Sequence, residues 1–264
     1  MQEPVDRKQI VTDTMDAARA QALRTCLGLP APGPGAPLPP FFHQIYFWEP
    51  APAEALGRDG HPAVGHFIPD MGLPRRMWAG GRLEFHAPLH AGSQAVRVST
   101  IAAMARKQGR TGPLGFVTVQ HEIRQAGVLC VTEEQDLVYR EDPDPAAPPP
   151  PPRQAPEDSE PESRGFDSTL LFRYSALTFN GHRIHYDPDY ARDLEGYAGL
   201  VVHGPLLAQL LMLKAEAIAP LRTFRFRGVR ALILGETAVL NRSGPRLWIR
   251  NGDGDLITEA EAGR

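Results

Sequence analysis

The chain has 264 residues and a hydrophobic share of 42%, enough for one large domain or two of roughly 100–130 residues with buried cores. A formal net charge of −3 with no basic stripe excludes nucleic acid as a partner, and two cysteines, Cys26 and Cys130, make neither a disulfide framework nor a zinc set. The N-terminal stretch MQEPVDRKQIVTD lacks an apolar signal core, and no run of about 18 apolar residues occurs, so the sequence reads as a reduced, cytoplasmic protein with no membrane span.

In chain order, residues 11–27 (VTDTMDAARAQALRTCL) read as an amphipathic helix, and 38–48 (LPPFFHQIYFW) as a buried apolar helix of the first half. Residues 49–74 form a long loop with turns. Strands are expected within 80–93, over 113–123 and over 127–135, where β-branched and aromatic residues gather. The stretch 142–165, DPDPAAPPPPPRQAPEDSEPESRG, is proline-rich and acidic without apolar anchors. It reads as an extended, solvated spacer between two folded halves, 1–141 and 166–264.

The second half opens on YSALTFNGHRIHYDPDYA, residues 174–191, which crowds Asn180, His182, His185 and Asp187 around Gly181. Residues 203–219 (HGPLLAQLLMLKAEAIA) are apolar on nearly every face, which predicts a buried helix with Pro205 in its first turn. Strands follow over 224–237, 246–250 and 254–262, the last two joined through NGDGD (251–255), whose Asn-Gly and Asp-Gly pairs favour a hairpin turn. The segments 80–93 and 224–237 are alike, as are 127–135 and 254–262, which predicts an internal duplication. The expected fold is α+β, each half an antiparallel sheet wrapped on a central helix.

The 174–191 segment followed by GLVVHGPLLAQLL resembles the hydratase motif and central helix of the MaoC-like, R-specific enoyl-CoA hydratase group. The family pattern runs Ser-Gly-Asp-x-Asn-Pro-(Ile/Leu)-His-x-Asp. His185 matches its histidine, Asp187 the aspartate that follows, and Asn180 stands where the family has its catalytic aspartate. His182 and Arg183 replace Asn-Pro, and His203-Gly204 match the start of the central helix. The first half, with LPRRMWAGGRLEFHAPL (73–89) and GPLGFVTVQHEI (112–123), is similar to the dehydratase-like domain of two-domain members. These include hydroxyacyl-thioester dehydratase type 2 and the mesaconyl-C4-CoA and itaconyl-CoA hydratases.

The resemblance implies a double hotdog fold, a non-catalytic first half and a catalytic second half. It implies hydration of an enoyl-CoA, the best match being mesaconyl-C4-CoA or itaconyl-CoA hydrated to citramalyl-CoA. The alternatives are a 3-hydroxyacyl-thioester dehydratase of fatty-acid metabolism and a catalytically silent thioester-binding hotdog. An acyl-CoA substrate and no separate cofactor are expected, and a homo-oligomer remains open.

The chemistry of the residues agrees. Hydrating a conjugated thioester needs a base for water and donors for the negative charge that builds on the thioester oxygen. His185 suits the first task, with Asn180 positioning the water. The helix start at Gly204 suits the second, since it offers free N–H groups and no Cβ. His182 is open between loop support and substrate contact, and His203 is expected to orient the helix start. Asp187 is expected to cap a helix over 188–197.

Arg75, Arg76 and Arg183 are candidates for coenzyme A phosphates or for a free carboxylate on the acyl group. For Arg75 and Arg76 the competing reading is surface arginines at a loop–strand junction. His43, His61, His66, His86, His90 and His121 fit no motif and read as structural. His-x-x-His at 182–185 lacks the glutamate and third ligand of a zinc protease, so no metal is expected, and neither a Gly-x-Ser-x-Gly elbow nor a P-loop is present.

Overall fold

Strand-forming runs occur on both sides of the proline-rich segment. The computed structural model, which describes residues 7–109, 112–144, 150–158 and 160–264, joins them in one antiparallel sheet. The first half supplies β1 (Lys8–Thr14), β2 (Arg75–Phe85), β3 (Gln94–Gly109), β4 (Gly112–Gln125) and β5 (Val128–Arg140). The second supplies β6 (Glu162–Arg164), β7 (Thr223–Gly228), β8 (Ala238–Ser243), β9 (Arg246–Arg250) and β10 (Leu256–Gly263). Helices α1 (Ala17–Cys26), α2 (Ser168–Thr178) and α3 (Gly204–Glu216) pack on it.

The strand order β1-β3-β4-β5-β2-β7-β10-β9-β8-β6 reads alike from both ends: first, third, fourth, fifth and second strand of a half. That palindrome is the duplication expected from the sequence. The halves meet where β2 pairs with β7, from Gly80 opposite Arg227 to Glu84 opposite Thr223. The seam is tight. A Cβ on Gly80 would lie 2.4 Å from the Phe226 carbonyl oxygen, which no side chain tolerates.

The helix α3 is the core of the second half. Leu206, Leu207, Ala208, Leu211 and Met212 are all buried, as an all-round apolar helix requires, and Pro205 sits in the first turn. The one polar side chain buried along it, Gln209, donates to the Pro40 carbonyl at 2.8 Å and so ties α3 to the first half.

Among the described residues the first half has no counterpart of equal length. The helix expected over 38–48 is corrected to a single 3-10 turn, Phe42–Ile45. Phe41 and Phe47 on either side adopt left-handed φ values of 71° and 60°, and Pro39 and Pro40 precede them, so a helix cannot propagate in either direction. A cavity of about 1160 Å³ lies against this short turn, lined from both halves.

Two further expectations are corrected. Residues 11–27 are not one helix. β1 alternates exposed and half-buried residues and pairs with β3, and α1 begins only at Ala17, with the Asp16 carboxylate accepting from the Ala18 N–H. The stretch 142–165 is not free throughout. Leu256 N–H donates to the Arg153 carbonyl at 2.7 Å, Trp248 Nε1 to Pro156 at 2.8 Å, and Arg242 N–H to the Asp158 carboxylate at 2.9 Å. Glu162–Arg164 then add the edge strand β6 beside β8. Prolines forbid a ladder only at their own nitrogens, and the non-proline residues between them pair normally. Residues 145–149 and 159 of this stretch lie outside the described residues.

Candidate active site

Asn180 is delivered by the end of α2. The helix starts on Asp167, whose carboxylate accepts from the Leu170 N–H, and stops at Phe179, which takes a left-handed φ of 51°. Asn180 N–H then bonds back to the Ser175 carbonyl at 2.8 Å, and its Oδ1 accepts from the His182 N–H at 3.0 Å. Only the oxygen of a carboxamide can accept, so the NH₂ group remains as the available donor. Asn180 lines the cavity.

His185 closes a 3-10 turn, Arg183–His185, and is buried. Its Nδ1 lies 2.7 Å from the Val201 carbonyl oxygen. A carbonyl cannot donate, so Nδ1 carries the proton and Nε2 holds the lone pair. Burial, with His182 adding to it, pushes its pKa down to about 3, against the pull of the Val201 carbonyl. The ring is therefore neutral near pH 7, and the cavity reaches it.

His203 packs parallel to His185, ring centroids 3.6 Å apart. It is the residue before α3, and its Nε2 is 2.8 Å from Ser175 Oγ, so it is tied to α2 as well. The stack sets His185 beside the helix start at Gly204. There a Cβ would find only the Trp78 carbonyl oxygen, at 4.0 Å, so the first turn is open to a ligand. Gly204 and Leu206 N–H groups have no partner inside the helix, and Pro205 has no N–H.

The loop 49–74 docks on this segment through two glycines. A Cβ on Gly60 (φ 86°) would lie 2.1 Å from the Gly181 carbonyl oxygen, and one on Gly181 2.5 Å from that of Gly60. Arg183 N–H donates to the Asp59 carbonyl at 2.9 Å. The docking brings His61 to His182, ring centroids 5.0 Å apart, and His182 lies 5.5 Å from His185. His182 is buried, its pKa is pushed down to about 3 by burial and then by Arg76, and its Nε2 has no partner. Arg76, His61 and His182 all line the cavity.

Two of the arginines expected at the site are elsewhere. Arg75 is buried in an ion pair with Glu195, Nε to Oε2 2.6 Å, with a second bond to the Glu195 carbonyl. Side chains alternate along a strand, so β2 sends Arg75 and Arg76 to opposite faces. Arg183 is outside the cavity lining, paired with Asp187 at 2.7 Å and set over the Tyr190 ring. Asp187 accepts from the Tyr190 N–H at 3.0 Å, the capping role expected of it, though the turn it supports is the short π-helical Tyr190–Leu194.

Sequence reasoning missed the wall of the cavity in the first half. Glu133 is buried there and accepts from Gln44 at 2.8 Å and Gln135 at 3.0 Å, with His43 Nε2 at 2.8 Å. Burial pushes its pKa up, but His43 and Gln135 hold it below the ordinary value. His43 and Glu133 are 90 residues apart, and no local pattern joins them. Among the described residues no group of three or more His, Cys, Asp or Glu is arranged to hold a metal, and no helix is long and apolar enough to cross a membrane.

The architecture has solved counterparts. HtdX of Mycobacterium tuberculosis superposes with a TM-score of 0.69 over 96% of this chain and 99% of its own, at 17% identity. A second Mycobacterium tuberculosis protein, described as a double hotdog, gives a TM-score of 0.59 over 98% of this chain and 96% of its own, at 13% identity. The fold is thus an α+β double hotdog, as expected. The model of the family "Hydroxyacyl-thioester dehydratase type 2" matches residues 41–234, and the chain belongs to that family. The mesaconyl-C(4)-CoA hydratase of Chloroflexus aurantiacus is 48% identical over 228 residues, 84% of this chain and 81% of that protein. The chain is accordingly a hydro-lyase of the enoyl-thioester hydratase and dehydratase type.

Proposed function

We propose that the protein hydrates mesaconyl-C4-CoA to citramalyl-CoA, with His185 as the base, Asn180 positioning the water and the start of α3 at Gly204 holding the thioester oxygen. The observation that carries this reading is the tautomer of His185. Its Nδ1 proton is committed to the Val201 carbonyl, which leaves Nε2 as a lone pair beside the helix start. The Asn180 amide donates to the water oxygen, and His185 Nε2 takes a proton from it as oxygen bonds to the β-carbon. Charge passes to the thioester oxygen, where the Gly204 and Leu206 N–H groups receive it. The α-carbon then takes up a proton from the imidazolium, so the histidine ends as it began and the reverse steps dehydrate the product.

In this reading the second half, 166–264, supplies the catalytic groups and the first half, 1–141, the opposite wall of the acyl cavity. The segment 142–165 connects them. Coenzyme A enters as part of the substrate, no other cofactor is used, and the enzyme works in the cytoplasm. The substrate named for the 48% identical relative supports the choice of acyl group. The fatty-acid dehydratase alternative fits less well, because the cavity wall carries His43, Glu133, Gln135 and Arg97 where a long alkyl chain needs apolar lining. Turnover of mesaconyl-C4-CoA, itaconyl-CoA, crotonyl-CoA and C8 to C12 enoyl-CoAs, followed by loss of enoyl-thioester absorbance, tests it. Mesaconyl-C4-CoA is expected to give the highest kcat/KM, and a C8 to C12 ester in that place would transfer the assignment to the dehydratase.

A further inference from the structure

Of the seven buried side-chain atoms without a hydrogen-bond partner among the described residues, two are neighbours on the cavity wall near His185: Arg76 Nε and His182 Nε2. Arg76 is close enough to His182 and His61 to depress both imidazoles. Buried polar groups are almost always paired, so a group of orphans in a cavity marks the place of an absent partner. The orphans here are nitrogens of a guanidinium and of an adjoining neutral imidazole, and the partner that fits the guanidinium accepts hydrogen bonds and is negatively charged. Asp59 meets only part of that need, at 3.4 Å from one guanidinium nitrogen, while its Oδ1 is engaged with the His61 N–H.

We propose that Arg76, His182 and His61 form a receptor for a carboxylate carried on the β-carbon of the acyl group. The inference rests on the hydration reading of the site and deepens it by naming the residues that select an acyl group with a carboxylate on that carbon. Water held between Asn180 and His185 attacks the β-carbon, so a substituent on that carbon lies next to the catalytic histidine. The receptor is at that remove, since the His182 ring is 5.5 Å from the His185 ring and the His61 ring 5.0 Å from the His182 ring. Both imidazoles are neutral and each has an N–H to offer, while Arg76 supplies the charge. A carboxylate at the far end of a longer acyl chain would instead reach the wall around Glu133, where it meets a like charge.

Other arginines are better placed for the phosphates of coenzyme A. Arg153, Arg227 and Arg230 also line the cavity, and their side chains are 58%, 70% and 39% exposed, as at a mouth. Arg76 is 13% exposed and belongs to the interior.

Succinyl-CoA and butyryl-CoA isolate the receptor from catalysis. Both are saturated and cannot be hydrated, both carry coenzyme A, and they differ by a carboxylate in place of a methyl on the β-carbon. Isothermal titration of the wild-type protein is expected to show succinyl-CoA binding about 30-fold or more tighter, the range of charge-assisted hydrogen bonds. Arg76→Gln is expected to bring the two Kd values within about threefold, and Arg76→Lys, which keeps the charge but not the fork, to restore part of the difference. Equal affinities in the wild-type protein overturn the receptor, as does an Arg76→Gln protein that keeps the preference or weakens both ligands alike. None of these outcomes depends on turnover, so the hydration reading stands or falls separately by the absorbance assay.

Discussion

His185 and His203 lie face to face, centroids 3.6 Å apart and planes 18° from parallel, so the proposed base rests directly on the residue that starts the central helix. Neither ring can turn freely, because Val201 holds one and Ser175 the other. His185→Ala is expected to lose at least about 10³-fold in kcat, the range of general-base catalysis together with the positioning that goes with it. Asn180→Ala should lose less, since it removes a donor to water and no proton acceptor. Asn180→Asp should keep measurable activity. A folded His185→Ala protein that retains a tenth of wild-type kcat removes histidine from the mechanism.

Gly204→Ala tests the helix start. The added methyl meets no atom of the protein closer than 4.0 Å, so thermal unfolding should be near that of the wild type. If the proposed helix-start site holds the thioester, the methyl occupies space it needs, and kcat/KM should fall by about 10–100-fold, the cost of a displacement near the reacting centre. A fall in Tm with unchanged kcat/KM would instead make the glycine a packing requirement.

Arg75 and Glu195 are both buried, and removing one leaves the other charged without compensation. Arg75→Met is expected to cost about 3–5 kcal/mol in urea denaturation. Full stability with a raised KM would return Arg75 to substrate binding.

Burial holds His182 and His185 at about 3, below the ordinary histidine value of about 6.5. Between those values the unfolded chain binds protons that the folded chain does not, so stability falls as pH drops through that window and is complete above it. Urea midpoints should therefore be lower at pH 5 than at pH 7.5, a range above the ordinary titration of carboxylates. His182→Phe should flatten the dependence, and an unchanged slope would show that His182 titrates normally in the fold.

Asp158 lies in the proline-rich stretch, yet it accepts from the Arg242 N–H, and its own N–H donates to the buried Asn241 side chain. Asp158→Ala should destabilise by about 1 kcal/mol, the net worth of one such bond, measured by the shift in urea midpoint. No shift at all would restore the reading of this stretch as a solvated spacer.

What was legible in the sequence was local. The Asn-Gly and Asp-Gly pairs place the β9–β10 turn, RLWIR forms β9 at its expected bounds, and the apolar run after His203 is α3. β3 was missed because its outer part, IAAMARKQG, has helix-forming composition and is held extended only by pairing with β4. The helix expected at 38–48 failed because two left-handed phenylalanines stop it, and φ is not written in residue type for phenylalanine. Arg75 and Arg76 look the same in LPRRMW, and only the alternation of β2 assigns one to Glu195 and the other to the cavity. His61 had no motif, since its place depends on two glycines 121 residues apart in the chain coming into contact.

The short turn at Phe42–Ile45 also bears on how such a chain can change over generations. Here the second half fills its interior with α3, and the cavity lies against the short turn of the first. With a helix in one copy and a turn in the other, the two copies are under different demands. Substitutions in the first half can reshape the chamber while the proposed proton-transfer groups stay fixed in the second. New acyl preferences can then arise by altering only the copy without those groups, with the reaction itself left untouched.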